Sequence, residues 1–339
     1  MMNSMVGDFL GNQKEILSYF SGKSVLVTGG AGFIGSNLVR KLVELNARVR
    51  VIDNLLTGNL ENLNGLPDGS VEFIEGDIRD YELCLEVMKD IDFVSHQAAL
   101  GSVPRSMKEP LLSHEHNVNG TLNVLWAAVN SGISRVVMAS SSSVYGDEET
   151  LPKVEHLTGN LLSPYAATKC IGESYAETMN KAYGLEVVAL RYFNIYGPRQ
   201  DPEGPYAAVI PKFVDLMRAG HSPKIFGDGN QSRDFTYVDN AVFANLSGMA
   251  KPLDTGYLCV NVACGGRLTV NELVYNLKSA MEKHIPEVSR IQPTYEANRP
   301  GDILHSHADI SKASQLLDYE VLVGIEEGIQ KTVEWFLNQ

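Results

Sequence analysis

The sequence predicts an α/β fold, a doubly wound parallel sheet with a smaller α/β C-terminal domain. Short apolar runs rich in Val and Ile recur through residues 24–192, and segments with helical spacing of apolar residues separate them. Parallel strands that are buried on both faces read as continuous apolar runs. The alternation of such strands with helices therefore predicts a sheet that is covered by helices on both sides.

Six runs are predicted strands: SVLVTG at 24–29, VRVID at 49–53, VEFIEGD at 71–77, DFVSHQA at 92–98, RVVMASS at 135–141 and EVVALRY at 186–192. Four stretches between them are predicted helices: SNLVRKLVEL, ELCLEVMKD, GTLNVLWAAVNSG and KCIGESYAETMNKAYG. The last two end in glycine, a common residue at the C-terminus of a helix. Before the first strand, residues 1–22 predict a helical extension with Ile16, Leu17 and Phe20 on one side.

The alternation of strands and helices ends after Tyr192. The next stretch, NIYGPRQDPEGPYAAVIP, is rich in Pro and Gly, and the remainder mixes helices with short strands. We therefore predict a first domain over residues 23–192 and a second, substrate-binding domain over residues 193–235 and 264–339. The helix-like DNAVFANLSGMA and the strand-like YLCVNVA are predicted to return residues 236–263 to the first domain.

The composition argues against several classes of protein. The formal net charge is −13 and no block of Lys and Arg occurs, so a nucleic-acid partner is not expected. No run of about 18 apolar residues predicts a membrane span, and the N-terminus lacks the features of a signal peptide. The four cysteines are few and irregularly spaced, which indicates a reducing cytoplasm and no metal site.

VLVTGGAGFIGS links the first strand to the first helix through a glycine-rich turn. Glycines there allow a pyrophosphate to approach the backbone N–H groups at the positive end of a helix. The spacing fits either of two dinucleotide motifs, one that starts at Gly30 and one that starts at Gly29, and both continue through Gly32 and Gly35. Asp53 ends the second strand, where a carboxylate can bind the adenosine ribose and repel a 2′-phosphate. The segment therefore predicts NAD rather than NADP.

SPYAATK places Tyr165 and Lys169 four residues apart at the start of a helix, so both side chains share one face. A nearby ammonium favours the phenolate and would bring a tyrosine towards the working range of a base. The chain contains a second pair of this spacing, Tyr19 and Lys23. Only Tyr165 follows the fifth strand, whose carboxyl end should border the cofactor. We therefore predict that Tyr165 and Lys169 are catalytic.

Together these motifs resemble the extended short-chain dehydrogenase/reductase family, and within it the nucleotide-sugar 4-epimerases. The resemblance is carried by TGGAGFIG, DN at 53–54, GDIRD at 76–80, HQAA at 96–99, NVNGT at 117–121, SPYAATK, RYFNIYGP and SRDFTYVDN. In addition, ALGSVPRS, RQDPEGPYAAVIPKF and HSHADISKA resemble bacterial UDP-N-acetylglucosamine 4-epimerases. A Rossmann NAD-binding domain is therefore expected over residues 23–192, with residues 236–263 returning to it. A UDP-sugar-binding domain is expected over residues 193–235 and 264–339.

The resemblance implies that Tyr165 removes the proton of the sugar 4-hydroxyl while NAD accepts the C4 hydride, and that the hydride returns to the opposite face of the rotated 4-keto sugar. Lys169 would bind the nicotinamide ribose, and Ser141 would be the catalytic serine. The NAD-binding residues implied are Gly29, Gly32, Phe33, Ile34, Gly35, Asp53, Asn54, Thr57, Gly58, Asp77, Ile78, Gln97, Ala98, Ala99, Asn117, Tyr165, Lys169 and Tyr192.

Serines of the run ASSSSVYG follow the fifth strand, and the resemblance assigns them to the sugar. Related dehydratases and decarboxylases carry acids where this chain has Ser142 and Ser143, so epimerisation remains. Ser306 stands where epimerases restricted to UDP-glucose have a tyrosine, which leaves volume for a 2-acetamido group. The substrate residues implied are Ser102, Ser141, Ser142, Ser143, Asn194, Val209, Phe226, Arg233, Arg299, Asp302 and Ser306.

The sequence leaves alternatives open. The leading hypothesis is an NAD-dependent epimerase of UDP-N-acetylhexosamines that acts as a cytoplasmic homodimer, with no nucleic-acid, membrane or metal partner. A second hypothesis is a 4-epimerase of UDP-glucose or of a UDP-hexuronate, since SSSSVYG resembles some uronate epimerases. A third is a non-catalytic NAD-sensing or scaffolding protein, against which the presence of Tyr165 and Lys169 argues.

Overall fold

A computed structural model of the chain describes residues 14–16, 18–202, 207–297 and 304–339. Thirteen strands occur in this part of the chain: β1 Ser24–Thr28, β2 Arg48–Asp53, β3 Val71–Glu75, β4 Phe93–His96, β5 Arg135–Ser141, β6 Glu186–Tyr192, β7 Ile195–Tyr196, β8 Lys224–Phe226, β9 Ser232–Arg233, β10 Thr236–Tyr237, β11 Tyr257–Val262, β12 Leu268–Thr269 and β13 Thr294–Glu296.

Eleven α-helices occur in the same described ranges. They are α1 Phe33–Glu44, α2 Tyr81–Val87, α3 Val103–Lys108, α4 Pro110–His114, α5 Gly120–Asn130, α6 Pro164–Tyr183, α7 Val209–Arg218, α8 Val238–Ala250, α9 Val270–Glu282, α10 Ser311–Leu317 and α11 Ile325–Leu337. None of the helices described is long and apolar enough to cross a lipid bilayer.

Seven of the strands form one parallel sheet in the order β11-β6-β5-β4-β1-β2-β3. The chain runs outward from β1 to β3 and then crosses back to β4 on the other side of β1. The direction of strand progression therefore reverses between β1 and β4, and such a reversal opens a ligand crevice at the carboxyl ends of the strands. The predicted doubly wound α/β fold is confirmed.

The side chains of each strand alternate between the two faces of this sheet, and helices cover both faces. Val25 and Val27 of β1 belong to the core under α1 and α8, whereas Leu26 belongs to the core under α2, α5 and α6. The helix α8 and the strand β11 lie within residues 236–263, and β11 extends the sheet by pairing with β6. A third core joins α7, α9 and α11 in the smaller C-terminal region.

The structure extends the predicted elements at two places. Helical residues 14–16 precede β1, and Ile16 and Phe20 are buried as expected of one apolar side, whereas Leu17 lies outside the described residues. Before α5, the helices α3 and α4 and a π-helical turn at Glu115–Asn119 were not predicted. Each short helix has a proline at its first or second residue, Pro104 in α3 and Pro110 in α4, which interrupts the periodicity by which a longer helix would be recognised.

Candidate active site

A cavity of about 680 Å³ opens at the carboxyl edge of the parallel sheet. It lies at the reversal of strand order between β1 and β4. All of the predicted NAD-binding residues line this cavity except Asp77 and Asn117. The fold therefore gathers the glycine turn, the acid after β2 and the Tyr-Lys pair around one volume.

The turn between β1 and α1 requires glycine at two positions. Gly29 has a φ of +69°, and a Cβ there would stand 2.7 Å from the Ala98 backbone. A Cβ on Gly35 would stand 2.1 Å from the Gly29 carbonyl oxygen. The helix α1 begins after Gly32, and no side chain caps its first N–H groups. These groups and the positive end of the helix dipole can therefore receive a pyrophosphate.

The carboxylate of Asp53 is buried at the end of β2, beside this turn. Its Oδ2 accepts a hydrogen bond from the Ala31 N–H at 3.0 Å, and its Oδ1 accepts one from the Leu55 N–H at 2.9 Å. Burial raises the pKa of Asp53, and the backbone hydrogen bonds lower it in part. A Cβ on Gly58 would stand 2.8 Å from Oδ1, so glycine leaves the carboxylate accessible to a ribose diol. This cradle fits NAD.

Asp77 and Asn117 lie behind the cavity wall. The Asp77 Oδ2 accepts a hydrogen bond from Asn54 at 2.8 Å. Burial raises the pKa of Asp77, but hydrogen bonds from Arg79 and Asn54 outweigh this effect and lower the pKa to about 2. The Asn117 side chain is buried and bonded to the protein itself. Both residues hold other parts of the wall in place, and their direct contact with NAD stays a prediction.

Tyr165 and Lys169 lie in the first two turns of α6 and line the cavity. The Lys169 Nζ stands 5.9 Å from the centroid of the Tyr165 ring and donates a hydrogen bond to the Ala139 carbonyl oxygen at 2.9 Å. The N–H of Tyr165 donates to the Ser106 hydroxyl at 3.0 Å. The pair is therefore anchored both to the end of β5 and to α3.

Burial governs the acidity of this pair. It raises the pKa of Tyr165 above 10, and a hydrogen bond with Ser141 lowers it in part. Burial also lowers the pKa of Lys169 to about 8, against the opposing effect of Glu173. The structure thus differs from the expected lowering of the tyrosine pKa by Lys169, because the ammonium lies beside the ring and donates to Ala139.

The serine run ends β5 and starts a 3₁₀ turn at Ser142–Tyr145. The Ser141 hydroxyl accepts a hydrogen bond from the Ser143 N–H at 3.2 Å, so it caps this turn while it lines the cavity. Ser142 and Ser143 do not line either described cavity. The Ser143 Oγ is buried without a hydrogen-bond partner among the described residues. Of the three predicted sugar contacts, only Ser141 is placed at the cavity.

A second cavity, of about 780 Å³, adjoins the first in the C-terminal region. The two cavities share lining residues, among them Ser102 and Asn194. The predicted substrate residues Val209, Phe226 and Arg233 line the second cavity. Of the predicted diphosphate and uracil residues, Asn194, Val209, Phe226 and Arg233 are therefore brought together next to the first cavity.

Besides Ser142 and Ser143, one more predicted substrate residue in the described ranges, Ser306, is not placed at a cavity. The Ser306 N–H donates to the Ser232 carbonyl oxygen at 3.0 Å, and Ser306 lines neither described cavity. Its role as a substitute for a bulky tyrosine beside the sugar stays a prediction. Arg299 and Asp302 lie outside the described residues.

Several lining residues were missed by sequence reasoning. Arg105, His116 and Gln200 line the first cavity, and Lys212 and Gln231 line the second. Arg105 and Gln200 stand within quoted motifs, ALGSVPRS and RQDPEGPYAAVIPKF, so a residue-by-residue comparison of those motifs could have found them. Nothing in the local sequence marks His116, because it reaches the cavity only through the π-helical turn.

The His96 side chain is buried and hydrogen-bonded through both ring nitrogens. Its Nδ1 is hydrogen-bonded to the Thr28 hydroxyl at 2.8 Å, and its Nε2 is bonded to the Thr121 hydroxyl at 2.9 Å. Burial lowers the pKa of His96 to about 3, and Lys169 adds to the effect. The imidazole is therefore neutral and engaged on both sides. Within the described ranges, no three His, Cys, Asp or Glu side chains are grouped as metal ligands.

Comparison with known proteins adds an independent line of argument. The model of the NAD dependent epimerase/dehydratase family matches residues 25–262. A UDP-glucose 4-epimerase of Mycolicibacterium smegmatis is 37% identical over 321 residues, which cover 93% of this chain and 98% of that protein.

Two solved structures are similar along nearly their whole length. A UDP-N-acetylglucosamine 4-epimerase of Methanobrevibacter ruminantium, in complex with UDP-N-acetylmuramic acid, is 41% identical with a TM-score of 0.86, and the match covers 94% of this chain and 99% of that one. A UDP-glucose 4-epimerase of Thermotoga maritima, with UDP-glucose, is 37% identical with a TM-score of 0.86, and the match covers 93% and 99%.

Proposed function

Since this chain belongs to the NAD-dependent epimerase/dehydratase family and is an NAD-dependent UDP-sugar 4-epimerase, we propose that it interconverts UDP-GlcNAc and UDP-GalNAc. The reaction inverts C4 of the sugar through a 4-keto intermediate. UDP-glucose and UDP-galactose are smaller members of the same substrate class, and the same site would also accept them.

One observation carries the proposal for an N-acetylated sugar. The wall of the first cavity includes four small residues, Gly101, Ser102, Ala207 and Ala208, and the last three of them also line the second cavity together with Asn194. Small residues leave volume for a 2-acetamido group, and a pocket of this kind discriminates against substrates mainly by size. The Gln200 Oε1, on the same wall, has no hydrogen-bond partner among the described residues, so it can accept a hydrogen bond from the acetamido N–H.

The residues of the chain would act on the sugar as follows. Tyr165 takes the proton of the 4-hydroxyl and later returns it, and Ser141 hydrogen-bonds the same oxygen. Lys169, which lines the same cavity, would bind the nicotinamide ribose. NAD, when bound, supplies the hydride acceptor and the hydride donor, so no net oxidation occurs. The UDP group would lie in the second cavity against Val209, Phe226 and Arg233, where an arginine can pair with phosphate oxygens in a bidentate manner.

A second candidate substrate is a UDP-hexuronate. Arg105 lines the first cavity, on the segment that also carries Ser102. A guanidinium near the sugar can bind a C6 carboxylate. This candidate keeps the same chemistry at C4 and differs only in the sugar that is accepted.

The division of labour between the domains and the assembly are also proposals. Residues 23–192 and 236–263 would hold NAD, and residues 193–235 and 264–339 would hold the UDP-sugar. A homodimer through the helices around α6 is supported by exposed apolar side chains there: Met107, Leu111 and Tyr183. The four cysteines are free thiols, which accords with the reducing cytoplasm that we propose as its location.

A substrate panel tests the proposed function. The folded protein, loaded with NAD, is incubated with UDP-GlcNAc, UDP-glucose and UDP-glucuronate in turn, without further cofactor, and the products are separated. We expect the highest kcat/KM with UDP-GlcNAc. A preference for UDP-glucuronate would establish the second candidate instead, and absence of any epimer product would overturn both.

A further inference from the structure

The carboxylate of Glu173 lies at the centre of a buried polar cluster behind the cavity. It follows Lys169 by one helical turn on α6. Its Oε1 accepts a hydrogen bond from the Ser140 hydroxyl at 2.5 Å and one from the Arg191 Nε at 2.9 Å, and its Oε2 accepts one from the Arg191 Nη2 at 2.8 Å. Glu173 therefore ties the catalytic helix to the carboxyl ends of β5 and β6.

Each partner of Glu173 is a sequence neighbour of a cavity residue. Ser140 lines the cavity itself and immediately precedes Ser141, and Arg191 immediately precedes Tyr192. Ser141 and Tyr192 both line the cavity. Because a strand is stiff between adjacent residues, a bond that holds Ser140 or Arg191 also restricts its neighbour. The Glu173 carboxylate thus acts on the site without touching the cavity.

The end of β6 is also held by contacts of Arg191 with residues other than Glu173. The Arg191 Nη1 donates to the Glu155 carbonyl oxygen at 3.0 Å, and its guanidinium stacks 5.0 Å from the centroid of the Tyr145 ring. The Tyr145 hydroxyl donates to the Asn261 Oδ1 at 2.5 Å. These contacts restrict the Arg191 guanidinium, so Glu173 is paired with a rigid partner.

Lys169 has one close charged neighbour among the groups that face it. Glu173, on the same helix, favours its ammonium form. Burial lowers the pKa of His96, on β4, and raises the pKa of Tyr165. The Ala139 carbonyl of β5 accepts its hydrogen bond. The negative charge of Glu173 is thus the counter-charge that opposes the effect of burial on Lys169.

The groups that face Glu173 itself are mostly neutral. Cys170 lies on its own helix, and Cys259 and Tyr257 lie on β11; proximity to Glu173 raises the pKa of all three groups, in addition to the larger effect of burial. Arg191 on β6 is the cation that faces it, and burial of Arg191 is outweighed by its bond to Glu173, so its pKa is raised. Arg191 is therefore the cation that is bonded directly to Glu173.

We propose that Glu173 is a positioning residue for the epimerisation: through Ser140 and Arg191 it holds Ser141 and Tyr192 in place at the cavity, against the helix that carries Tyr165 and Lys169. This inference rests on the proposed function, because it assigns a role within that reaction. A buried ion pair adds little stability compared with apolar side chains of similar volume, so its position behind the site is better explained by its effect on the catalytic groups.

The chain contains a matched control for this pair. Arg135 and Glu186 are the first residues of β5 and β6, and the Arg135 Nη2 stands 2.5 Å from the Glu186 Oε2. This second arginine–glutamate pair joins the same two strands at the edge away from the cavity. Glu186→Gln therefore removes a comparable charge and a comparable tie between strands, without a connection to the catalytic groups.

The first experiment compares Glu173→Gln with Glu186→Gln in the NAD-loaded protein. For Glu173→Gln we expect kcat to fall about 100-fold while KM stays within about threefold of the wild type, because misplaced groups lose rate rather than binding. Both the acidic and the basic limb of the pH profile of kcat should move to lower pH by roughly one unit. The reason is that loss of the negative charge of Glu173 disfavours the ammonium form of Lys169. Glu186→Gln should change kcat less than about twofold and leave the profile in place.

A second variant covers the case in which Glu173→Gln does not fold because Arg191 is left unpaired. Ser140→Ala removes one hydroxyl and no charge, and we expect it to lower kcat about 10-fold without moving the pH profile. Binding of NAD, measured by the absorbance of the cofactor released on denaturation, should be unchanged in both variants.

The outcomes are distinct. If the wild type is active and Glu173→Gln matches Glu186→Gln in kcat and in pH profile, the positioning role is overturned while the proposed function stands. If Ser140→Ala retains the wild-type kcat, the tie to β5 is overturned. If the wild type converts none of the UDP-sugars, the proposed function itself fails.

Discussion

The Asn117 side chain holds both backbone groups of Leu100: its Oδ1 accepts the Leu100 N–H at 2.7 Å, and its Nδ2 donates to the Leu100 carbonyl oxygen at 3.1 Å. The same Nδ2 lies 3.2 Å from the hydroxyl of Thr168 on α6. Leu100 belongs to the segment after β4 that lines the first cavity. One buried amide therefore joins that segment to the helix that carries Tyr165.

Asn117→Ala should loosen this segment. The variant leaves the buried N–H and carbonyl of Leu100 without a partner, which costs about 1–3 kcal/mol of unfolding free energy for each such group. We expect lower stability in urea and weaker retention of NAD. Asn119→Ala, two residues away at an exposed position, should change the unfolding free energy by less than about 0.5 kcal/mol. Equal losses of unfolding free energy in the two variants would contradict the role of Asn117 in holding the segment of Leu100.

Tyr165→Phe should abolish turnover while NAD stays bound, because the variant removes the acid/base hydroxyl and keeps the ring. We expect kcat to fall by at least about 100-fold, the typical contribution of a positioned acid or base. Tyr19→Phe is the matched control, since Lys23 lies 5.3 Å from the Tyr19 ring centroid in a pair of the same sequence spacing. Product formation by Tyr165→Phe at the Tyr19→Phe rate would remove Tyr165 from the mechanism.

Arg233→Met should weaken binding of the UDP-sugar. Arg233 lines the second cavity, where its guanidinium also donates to the Leu304 carbonyl oxygen at 3.2 Å. Loss of charged hydrogen bonds to a diphosphate is worth about 10- to 100-fold in KM, and kcat at saturation should change little. Arg267→Met, at an exposed position, serves as the control. An unchanged KM in initial-rate measurements would place the diphosphate elsewhere.

Gly35→Ala should damage the cofactor turn. Its Cβ would stand 2.1 Å from the Gly29 carbonyl oxygen, so the turn must open. We expect a cost of about 1–3 kcal/mol from overpacking and loss of NAD from the purified protein. Gly266→Ala places its Cβ in open space and should retain both NAD and the wild-type Tm. Full NAD content in Gly35→Ala would show that the turn can rearrange.

Asp234 should make stability fall as the pH rises through the range from about 4 to about 6. Its side chain is fully buried, and burial raises its pKa from 3.8 to about 6, against hydrogen bonds from the Cys264 and Ala308 N–H groups. Between these two pKa values the folded state holds a proton that the unfolded state has lost. Its contribution to the unfolding free energy therefore decreases by roughly 3 kcal/mol across this window.

Urea unfolding of the wild type and of Asp234→Asn at a series of pH values checks this sign. The difference in unfolding free energy between the two proteins should change in that window and be flat above it. Asp309→Asn is the contrasting control, because hydrogen bonds from Ser311 lower the pKa of Asp309. Its contribution should be lost as the pH falls. A wild-type stability that rises relative to Asp234→Asn between pH 4 and 6 would contradict the assignment.

Prediction from sequence was most successful where local pattern and chemistry coincide. The glycine turn, Asp53 and the Tyr165–Lys169 pair each follow a strand, and all of them line one cavity. It was least successful for the serine run. Ser141, Ser142 and Ser143 are adjacent in sequence, yet a 3₁₀ turn begins at Ser142, and of the three only Ser141 lines a described cavity. Because the serine run changes from strand to 3₁₀ turn within a few polar residues, it has no periodicity from which the turn could be predicted.

By itself the sequence determined the sheet and the identity of the cofactor cradle, because apolar periodicity and close backbone approach are properties of short stretches. The tertiary structure alone decided which charges face each other. Glu173 meets Arg191 and Ser140 only because α6 packs across the ends of β5 and β6, and burial there, rather than the spacing from Lys169, governs the pKa of Tyr165. Desolvation depends on every group packed around a site, so it follows from the assembled fold and not from a motif.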